Sequence, residues 1–296
     1  MAKPAPASPG RSTLRVAAAQ LKFRPTLREN IERIESVIGR AADRGADVVL
    51  LPECATTGYA IDFRRLDRSE LHDALLQLGS LAGKYGIHLL AGTPWFNGRR
   101  LHNSLVVFNR SGRAVYQYSK CHLTPRDRET FTPGNALALF ELDGIPATAL
   151  ICHERRYPEL VRLPVMAGAR IIFHPNAGLD SLAVSRKKRG GRDGIAARAF
   201  ENAVPYVFAN SVGPQGGGLW SAGDSKIVDS DGTVLQLAGN TSEALLIADL
   251  DLSRATRKYA VEALSEPRFL ARSLKSLVTL VRRQARRGIL RNGIDG

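Results

Sequence analysis

The strongest constraint on the fold is an early alternation of apolar runs with one amphipathic segment. Residues 14–21 (LRVAAAQL) form a short apolar run, and residues 47–51 (DVVLL) form a second one. Between them, apolar side chains recur at helical spacing at Leu27, Ile31, Ile34, Ile38 and Ala41. This order predicts a strand–helix–strand unit, which is typical of layered α/β folds.

Predicted strands and helices continue to alternate along the chain. Further strands are predicted at residues 87–93, 101–109, 115–119, 147–151, 170–174, 206–210, 225–229, 233–236 and 244–249, and helices at 71–85, 158–167 and 194–203. No Pro/Gly-rich linker divides residues 14–253, so we expect them to form one α/β domain. Residues 1–13, rich in Pro, Ala and Ser, are predicted to be a disordered leader. Residues 254–296 are predicted to be a basic, largely helical extension.

The formal net charge of +14 is unevenly distributed. Residues 254–296 carry 11 lysines and arginines against 3 acids, and residues 186–192 carry 5 more positive charges. Leu270, Leu274, Leu277 and Val281 lie at helical spacing within the extension, which predicts a basic amphipathic helix. The rest of the chain is close to neutral, and only 6% of all residues in the chain are aromatic. We therefore do not expect a nucleic-acid-binding domain.

Three cysteines in 296 residues cannot form a disulfide framework, and a leftover thiol favours a reducing compartment. No targeting segment or membrane span is recognised, so the expected location is the cytoplasm. The histidines lack metal-ligand spacing; they are His72, His88, His102, His122, His153 and His174. We expect neither a metal nor a cofactor.

Three reactive side chains directly follow apolar strands. They are Glu53 after DVVLLP, Lys120 after VYQYS and Cys152 after ATALI. Reactive groups collect at the carboxyl ends of strands in α/β sheets, so these three side chains could converge on one site. Each one alone also has a structural explanation: a helix cap for Glu53, a solvated charge for Lys120 and a small core residue for Cys152. Cys152 additionally lies at a sharp strand-to-helix transition of the kind that exposes a nucleophile.

The segments around these residues carry a family resemblance. LPECATTGY contains Glu53, YSKCHLTPRDRETFTPGN contains Lys120, and CHERRYPE begins at Cys152. Four further segments follow in order: RAFEN at 198–202, AN at 209–210, GDSKI at 223–227 and DG at 231–232. From about residue 14 to residue 251, the ordered set resembles the motifs of the nitrilase, or carbon–nitrogen hydrolase, superfamily. The resemblance implies a Glu-Lys-Cys catalytic triad, a four-layer αββα sandwich and a homodimer or larger homo-oligomer.

The implied chemistry suits these residue types. A cysteine can attack an amide carbonyl to give a thioester, while a carboxylate carries the protons and a lysine stabilises the developing oxyanion. The family often has a second glutamate four residues before the Phe of its F-x-P-G segment. Asp127 stands at that position here, and Glu129 lies two residues before Phe131. Either could orient the substrate or Lys120, and we favour Glu129 for its longer reach.

The substrate class follows from the residues after the nucleophile. CHERRYPE is similar to the C-x-D-R-R-W-P-E segment of N-carbamoyl-D-amino-acid amidohydrolases, in which arginines hold the substrate carboxylate. That likeness implies a binding role for Arg156, whereas Arg155 is also expected, as a structural residue, in plain aliphatic amidases. Tyr59, His153 and Asn176 are predicted to line the pocket.

The predicted function is hydrolysis of a small amide or N-carbamoyl compound at a C–N bond other than a peptide bond. A nitrilase proper is less expected, because such enzymes usually carry Trp where His153 stands. Two alternatives stay open. One is an acyltransferase that uses the same thioester, and the other is a catalytically retired scaffold that binds anionic surfaces or nucleic acid.

Overall fold

A computed structural model describes residues 12–187 and 194–295. Of the predicted leader, residues 1–11 lie outside the described residues, and Thr13 already belongs to the first strand. Most of the basic segment 186–192 also lies outside them. The division of the chain into a leader, a hydrolase domain and an extension therefore stays a prediction.

The secondary structure follows the predicted alternation closely. The strands are β1 (Thr13–Gln20), β2 (Val48–Leu50), β3 (His88–Asn97), β4 (Arg100–Phe108), β5 (Ala114–Ser119), β6 (Phe140–Leu142), β7 (Ile145–Ala149), β8 (Ile172–Asn176), β9 (Asp180–Ser181), β10 (Tyr206–Asn210), β11 (Val212–Gly216), β12 (Leu219–Ala222), β13 (Lys226–Val228), β14 (Val234–Leu237) and β15 (Ala244–Asp251). The helices are α1 (Leu27–Asp43), α2 (Arg68–Tyr85), α3 (Glu159–Ala167), α4 (Leu182–Lys187), α5 (Ile195–Asn202), α6 (Lys258–Glu262) and α7 (Arg268–Ala285).

Helix α1 shows why the early pattern folds as it does. Thr26 and Glu29 form a reciprocal capping box at its start, which satisfies two backbone N–H groups that the helix leaves free. Ile31, Ile34 and Ile38 are buried against the first sheet, as their spacing predicts. The helix is thus specified by its cap and by its apolar face.

The strands form two six-stranded sheets that pack face to face. Their orders are β15-β1-β2-β3-β4-β5 and β14-β13-β10-β8-β7-β6. Side chains such as Leu50 and Leu105 from the first sheet and Phe173 and Val207 from the second form one buried core between them. Helices α1 and α2 cover the outer face of the first sheet, and α3, α5 and α7 cover that of the second. The four-layer αββα prediction is confirmed.

The strand directions bring one edge of both sheets together. Strands β1, β2 and β3 pair in parallel in the first sheet, and β7, β8 and β10 do so in the second. Strand β5 runs in the same direction as β2, because two antiparallel pairings separate it from β3. The loops after β2, β5, β7 and β8 can therefore meet at one site.

The predicted C-terminal helix is present, and its buried face overlaps the predicted stripe in part. As predicted, Val281 is buried and Leu274 packs, partly buried, against the cluster on the outer face of the second sheet. Leu270 and Leu277 are instead exposed by 44% and 40%, while their neighbours Ala271 and Val278 are buried. At these two turns, the buried face is therefore shifted by one residue from the prediction.

The sequence did not predict the small third sheet, in which β11, β12 and β9 pair in that order. Its hairpin lies between the predicted strands at 206–210 and 225–229, with Gly217 and Gly218 at positive φ between β11 and β12. In residues 12–187 and 194–295, no helix combines the length and the apolar character needed to span a bilayer.

Candidate active site

The three strand-end residues lie where the two sheets meet. Glu53 and Lys120 follow β2 and β5 of the first sheet, and Cys152 follows β7 of the second. Glu53 and Lys120 are each only 1% exposed, whereas Cys152 is half-buried. The structure therefore brings together the three side chains that the sequence singled out.

Lys120 is held between two carboxylates. Its Nζ donates to Glu53 Oε1 at 2.7 Å and to Asp127 Oδ2 at 2.8 Å. Burial alone would lower the pKa of Lys120, but the neighbouring Glu53 and Asp127 carboxylates and Cys152 hold that pKa well above its ordinary value. Lys120 is therefore a permanent cation at this site.

The preference for Glu129 as the partner of Lys120 was wrong. Asp127 and Glu129 share one 3₁₀ turn, in which Asp127 is buried and Glu129 is exposed. Asp127 Oδ2 also accepts the backbone N–H of Thr124, so the short side chain is fixed next to the lysine. The side of the turn on which each carboxylate lies, and not the length of its side chain, determines which one contacts Lys120.

Glu53 is fixed by three donors. Besides Lys120, the Asn103 side-chain amide donates to Oε1 at 2.8 Å, and the backbone N–H of Ala177 donates to Oε2 at 2.9 Å. The same Asn103 amide donates to Tyr59 at 2.9 Å. Neither Asn103 nor Ala177 was predicted from the sequence. Strand β4 also carries Arg100, His102 and Ser104, so its sequence does not single out Asn103. The Ala177 contact is made by the backbone and has no sequence signal.

Cys152 lies at a strained point of the backbone. Its φ is 52°, in the left-handed region, and it begins the 3₁₀ turn Cys152–Arg156. This geometry confirms the sharp strand-to-helix transition. Its Sγ donates to the Ala177 carbonyl at 3.9 Å. Enclosure by the protein, followed by the Glu53 charge, raises the pKa of the thiol to about 12, although Lys120 and Arg155 oppose the shift. The sulfur is a protonated thiol at neutral pH.

The backbone of Cys152 has a buried partner that the sequence analysis did not identify. His174 Nε2 lies 3.1 Å from the Cys152 carbonyl oxygen, and its Nδ1 lies 2.9 Å from the Tyr206 hydroxyl. Because a carbonyl oxygen can only accept, Nε2 carries the ring proton and Nδ1 accepts from Tyr206. The imidazole thus holds the residue that bears the thiol.

A pocket of about 230 Å³ opens at Cys152. The predicted residues His153, Arg155, Arg156 and Asn176 all contribute to its wall. Arg155 Nη1 donates to Asn176 Oδ1 at a long 3.5 Å, while Arg156 is exposed to solvent. The pocket thus presents two guanidinium groups beside the thiol.

Tyr59 was predicted to line this pocket, but it is not among the residues of its wall. It is buried in a separate apolar cluster with Phe131 and packs edge-on against Phe63. Its hydroxyl accepts from the Asn103 amide, which also donates to Glu53. Asn176 is itself oriented by Asn210, whose Oδ1 accepts from the Asn176 amide at 2.8 Å. Across the described ranges, no group of three or more His, Cys, Asp or Glu side chains could hold a metal ion.

The family described as carbon-nitrogen hydrolase matches residues 15–259. The chain belongs to the carbon–nitrogen hydrolase family. The family resemblance predicted from the motifs is confirmed, and so is the prediction of an enzyme of this class.

Relatives of this carbon–nitrogen hydrolase include two amidases. It is 31% identical over 237 residues to a 2-oxoglutaramate amidase of Bacillus subtilis, covering 77% of this chain and 86% of that protein. It is 28% identical over 252 residues to an omega-amidase of Danio rerio, covering 81% and 89%.

A solved structure agrees with the fold of this carbon–nitrogen hydrolase. An amidase of the nitrilase superfamily from Nesterenkonia superimposes with a TM-score of 0.76 at 25% identity, covering 89% of this chain and 98% of that one. In another structure of that amidase, with a TM-score of 0.75 at 25% identity and coverage of 88% and 99%, acrylamide has added to the active-site cysteine. Similar proteins of this fold therefore carry a reactive cysteine.

Proposed function

We propose that this protein hydrolyses the C–N bond of a small amide or N-carbamoyl compound through a thioester on Cys152. The observation that carries the proposal is the buried Glu53–Lys120 ion pair of 2.7 Å, whose carboxylate contacts Ala177, the same residue that the Cys152 thiol contacts at the pocket. The names of the amidase relatives support the same reaction class. An intact buried ion pair also favours an enzyme over a retired scaffold.

In the first half-reaction, the thiol needs a base, because its pKa of about 12 keeps it protonated. Glu53 takes the proton as Sγ attacks the carbonyl carbon, and then gives it to the departing amine as the C–N bond breaks. The products are a Cys152 thioester and a free amine, or ammonia from a primary amide. Glu53 ends this half-reaction as a carboxylate, ready for the second one.

In the second half-reaction, Glu53 removes a proton from water, which attacks the thioester. The proton passes to the leaving sulfur, and the acid product is released. Lys120 carries three N–H donors, two of which bind Glu53 and Asp127. The third is available for the oxyanion that develops on the substrate. A unit charge pair about 4 Å apart is worth roughly 4 kcal/mol at an effective dielectric of about 20, which is enough to matter for the barrier.

We further propose that the substrate carries an anionic group that is bound by Arg156. Arg156 is exposed at the pocket and has no role in the Glu53–Lys120 cluster, so its guanidinium can donate two parallel hydrogen bonds to a substrate carboxylate. Arg155 is tied to Asn176 and is assigned to shaping the wall. An omega-amide of a dicarboxylic acid and an N-carbamoyl amino acid both meet this description.

Acyl transfer is the second candidate function. The thioester forms in the same way in both reactions, and an amine or alcohol would replace water in the second half-reaction.

For the assembly and the compartment, we propose a homodimer or larger homo-oligomer in the cytoplasm. The family resemblance supports the first proposal, and three thiols that form no disulfide support the second.

The test is a substrate panel with ammonia release as the readout. The panel compares N-carbamoyl amino acids, omega-amides with a free carboxylate, uncharged aliphatic amides and nitriles, each with and without hydroxylamine as a competing acceptor. We expect ammonia from carboxylate-bearing amides or N-carbamoyl compounds, and none from the Cys152→Ala variant. Turnover by that variant would refute the thioester mechanism. Hydroxamate formed in preference to the acid would favour acyl transfer.

A further inference from the structure

Glu154 is a fully buried carboxylate that the reaction does not use. It is 0% exposed and lies two residues after Cys152. Its Oε2 accepts the backbone N–H of Ile151 at 2.7 Å, and its Oε1 accepts those of Cys121 and His122 at 2.6 and 3.1 Å. The Tyr118 hydroxyl lies 2.9 Å from both oxygens. A buried carboxylate is costly unless its oxygens are filled with donors, and here they are.

These bonds join the backbones on which two reactive side chains are carried. Cys121 and His122 directly follow Lys120, and Ile151 directly precedes Cys152. The two loops leave different sheets, after β5 and after β7. One carboxylate, with one oxygen on each loop, therefore sets the distance between them.

Only a carboxylate can make both attachments. Oε1 and Oε2 each face backbone N–H donors, so both positions require an acceptor. A glutamine of the same shape has one acceptor oxygen and one donor amide. Its NH₂ group would face either the Ile151 N–H or the N–H groups of Cys121 and His122. A glutamine could therefore keep the hydrogen bonds to the backbone of one loop but not those to the other.

We propose that Glu154 is a positioning residue that fixes Lys120 relative to Cys152 by bridging the two loops. The inference rests on the proposed function of those two residues. It deepens that function, because it assigns the alignment of lysine and thiol to a side chain that touches neither the substrate nor the reacting atoms. Glu154 is not part of the pocket wall, so its effect should fall mainly on turnover and less on substrate binding.

The test compares Glu154→Gln with Tyr118→Phe. The first variant breaks the bridge at constant volume, while the second removes one hydroxyl donor and leaves both backbone attachments in place. We expect Glu154→Gln to lower kcat by about 100-fold, since a displacement of about 1 Å can cost that much, and to change KM by less than about threefold. Tyr118→Phe should keep kcat within about threefold of the parent.

The measurement must separate misplacement from loss of folded protein. Activity is therefore expressed per folded molecule, with the folded fraction at the assay temperature taken from the thermal unfolding transition. Normal kcat per folded molecule in Glu154→Gln overturns the inference. If Glu154→Gln does not fold, Glu154→Asp replaces it, because its carboxylate is one methylene short of one loop. Unchanged kcat in Glu154→Asp then overturns the inference.

Failure of the inference is distinguishable from failure of the proposed function. The Cys152→Ala variant, assayed with the same substrate, decides the proposed function by itself. If Cys152→Ala is inactive while Glu154→Gln turns over normally, only the positioning role is wrong. If Cys152→Ala retains full turnover, the thioester mechanism fails, and the positioning role fails with it.

Discussion

Glu53 and Ala177 are joined by a 2.9 Å hydrogen bond that crosses from the first sheet to the second. The Ala177 carbonyl in turn accepts the thiol proton of Cys152 at 3.9 Å. The proposed base, Glu53, and the proposed nucleophile, Cys152, therefore both contact the backbone of Ala177. The site is complete only when the two sheets pack together, so its geometry depends on the core between them.

Asp127 and Glu129 offer a matched pair of substitutions at one turn. Asp127→Asn removes one of the two negative charges that hold Lys120. The lysine loses an anchor, so we expect kcat for the preferred amide to fall about tenfold or more. Glu129→Gln removes an equal charge from the exposed side of the turn and should leave kcat within about twofold. Equal losses in both variants would contradict a specific role of Asp127.

The protonation state of Cys152 can be measured by alkylation. The pKa of its thiol is raised to about 12 by enclosure and by Glu53, so the reactive thiolate is scarce at neutral pH. We expect the rate of inactivation by iodoacetamide to rise steadily from pH 7 to pH 9 without a plateau. Cys152→Ser provides the background labelling of Cys54 and Cys121. A plateau near neutral pH would instead indicate a thiolate paired with Lys120.

The sequence predicted the fold and the three strand-end residues because both follow from local patterns. Apolar periodicity determines which segments become strands, and the end of a strand determines where Glu53, Lys120 and Cys152 emerge. Contacts made through the backbone leave no such pattern. The Ala177 amide, for example, donates to Glu53, which lies 124 residues earlier in the sequence, and an alanine gives no sign of such a contact.

The two errors at the site have the same physical origin. The choice of Glu129 over Asp127 compared side-chain lengths, whereas the turn decides which side chain faces Lys120. The placement of Tyr59 assumed that a residue near Glu53 in sequence lines the pocket, whereas its ring is buried in another cluster. Side-chain direction depends on tertiary packing, which one sequence does not specify.

Arg156 should determine which amides are accepted. Arg156→Gln keeps a polar side chain but removes the charge and the bidentate geometry. For substrates with a carboxylate, we expect KM to rise about 10- to 100-fold while kcat changes little, since the arginine contacts only the remote anion. An uncharged aliphatic amide serves as the internal control, and its kcat/KM should stay within about threefold. Parallel losses for both substrates would remove the carboxylate-binding role.

His174 should make the stability of the fold depend on pH. Burial lowers the pKa of His174 well below its ordinary value, and the nearby Arg155 charge acts in the same direction. In the unfolded chain the imidazole titrates near pH 6.5. Below that pH it is therefore protonated in the unfolded state but stays neutral in the folded state, which favours unfolding. The contribution is present above pH 6.5 and is lost as the pH falls. Between pH 7.5 and pH 5.5 it amounts to a loss on the order of 1 kcal/mol.

Urea unfolding of the parent and of His174→Gln at these two pH values measures this contribution. Glutamine can still donate to the Cys152 carbonyl but does not titrate, so it separates the hydrogen bond from the protonation. The free energy of unfolding should fall more steeply in the parent, by on the order of 1 kcal/mol between pH 7.5 and pH 5.5. Carboxylates and other histidines contribute equally to both proteins and cancel in the difference. Identical slopes would mean that His174 is protonated in the folded state and that its neutral contact with Tyr206 is not maintained.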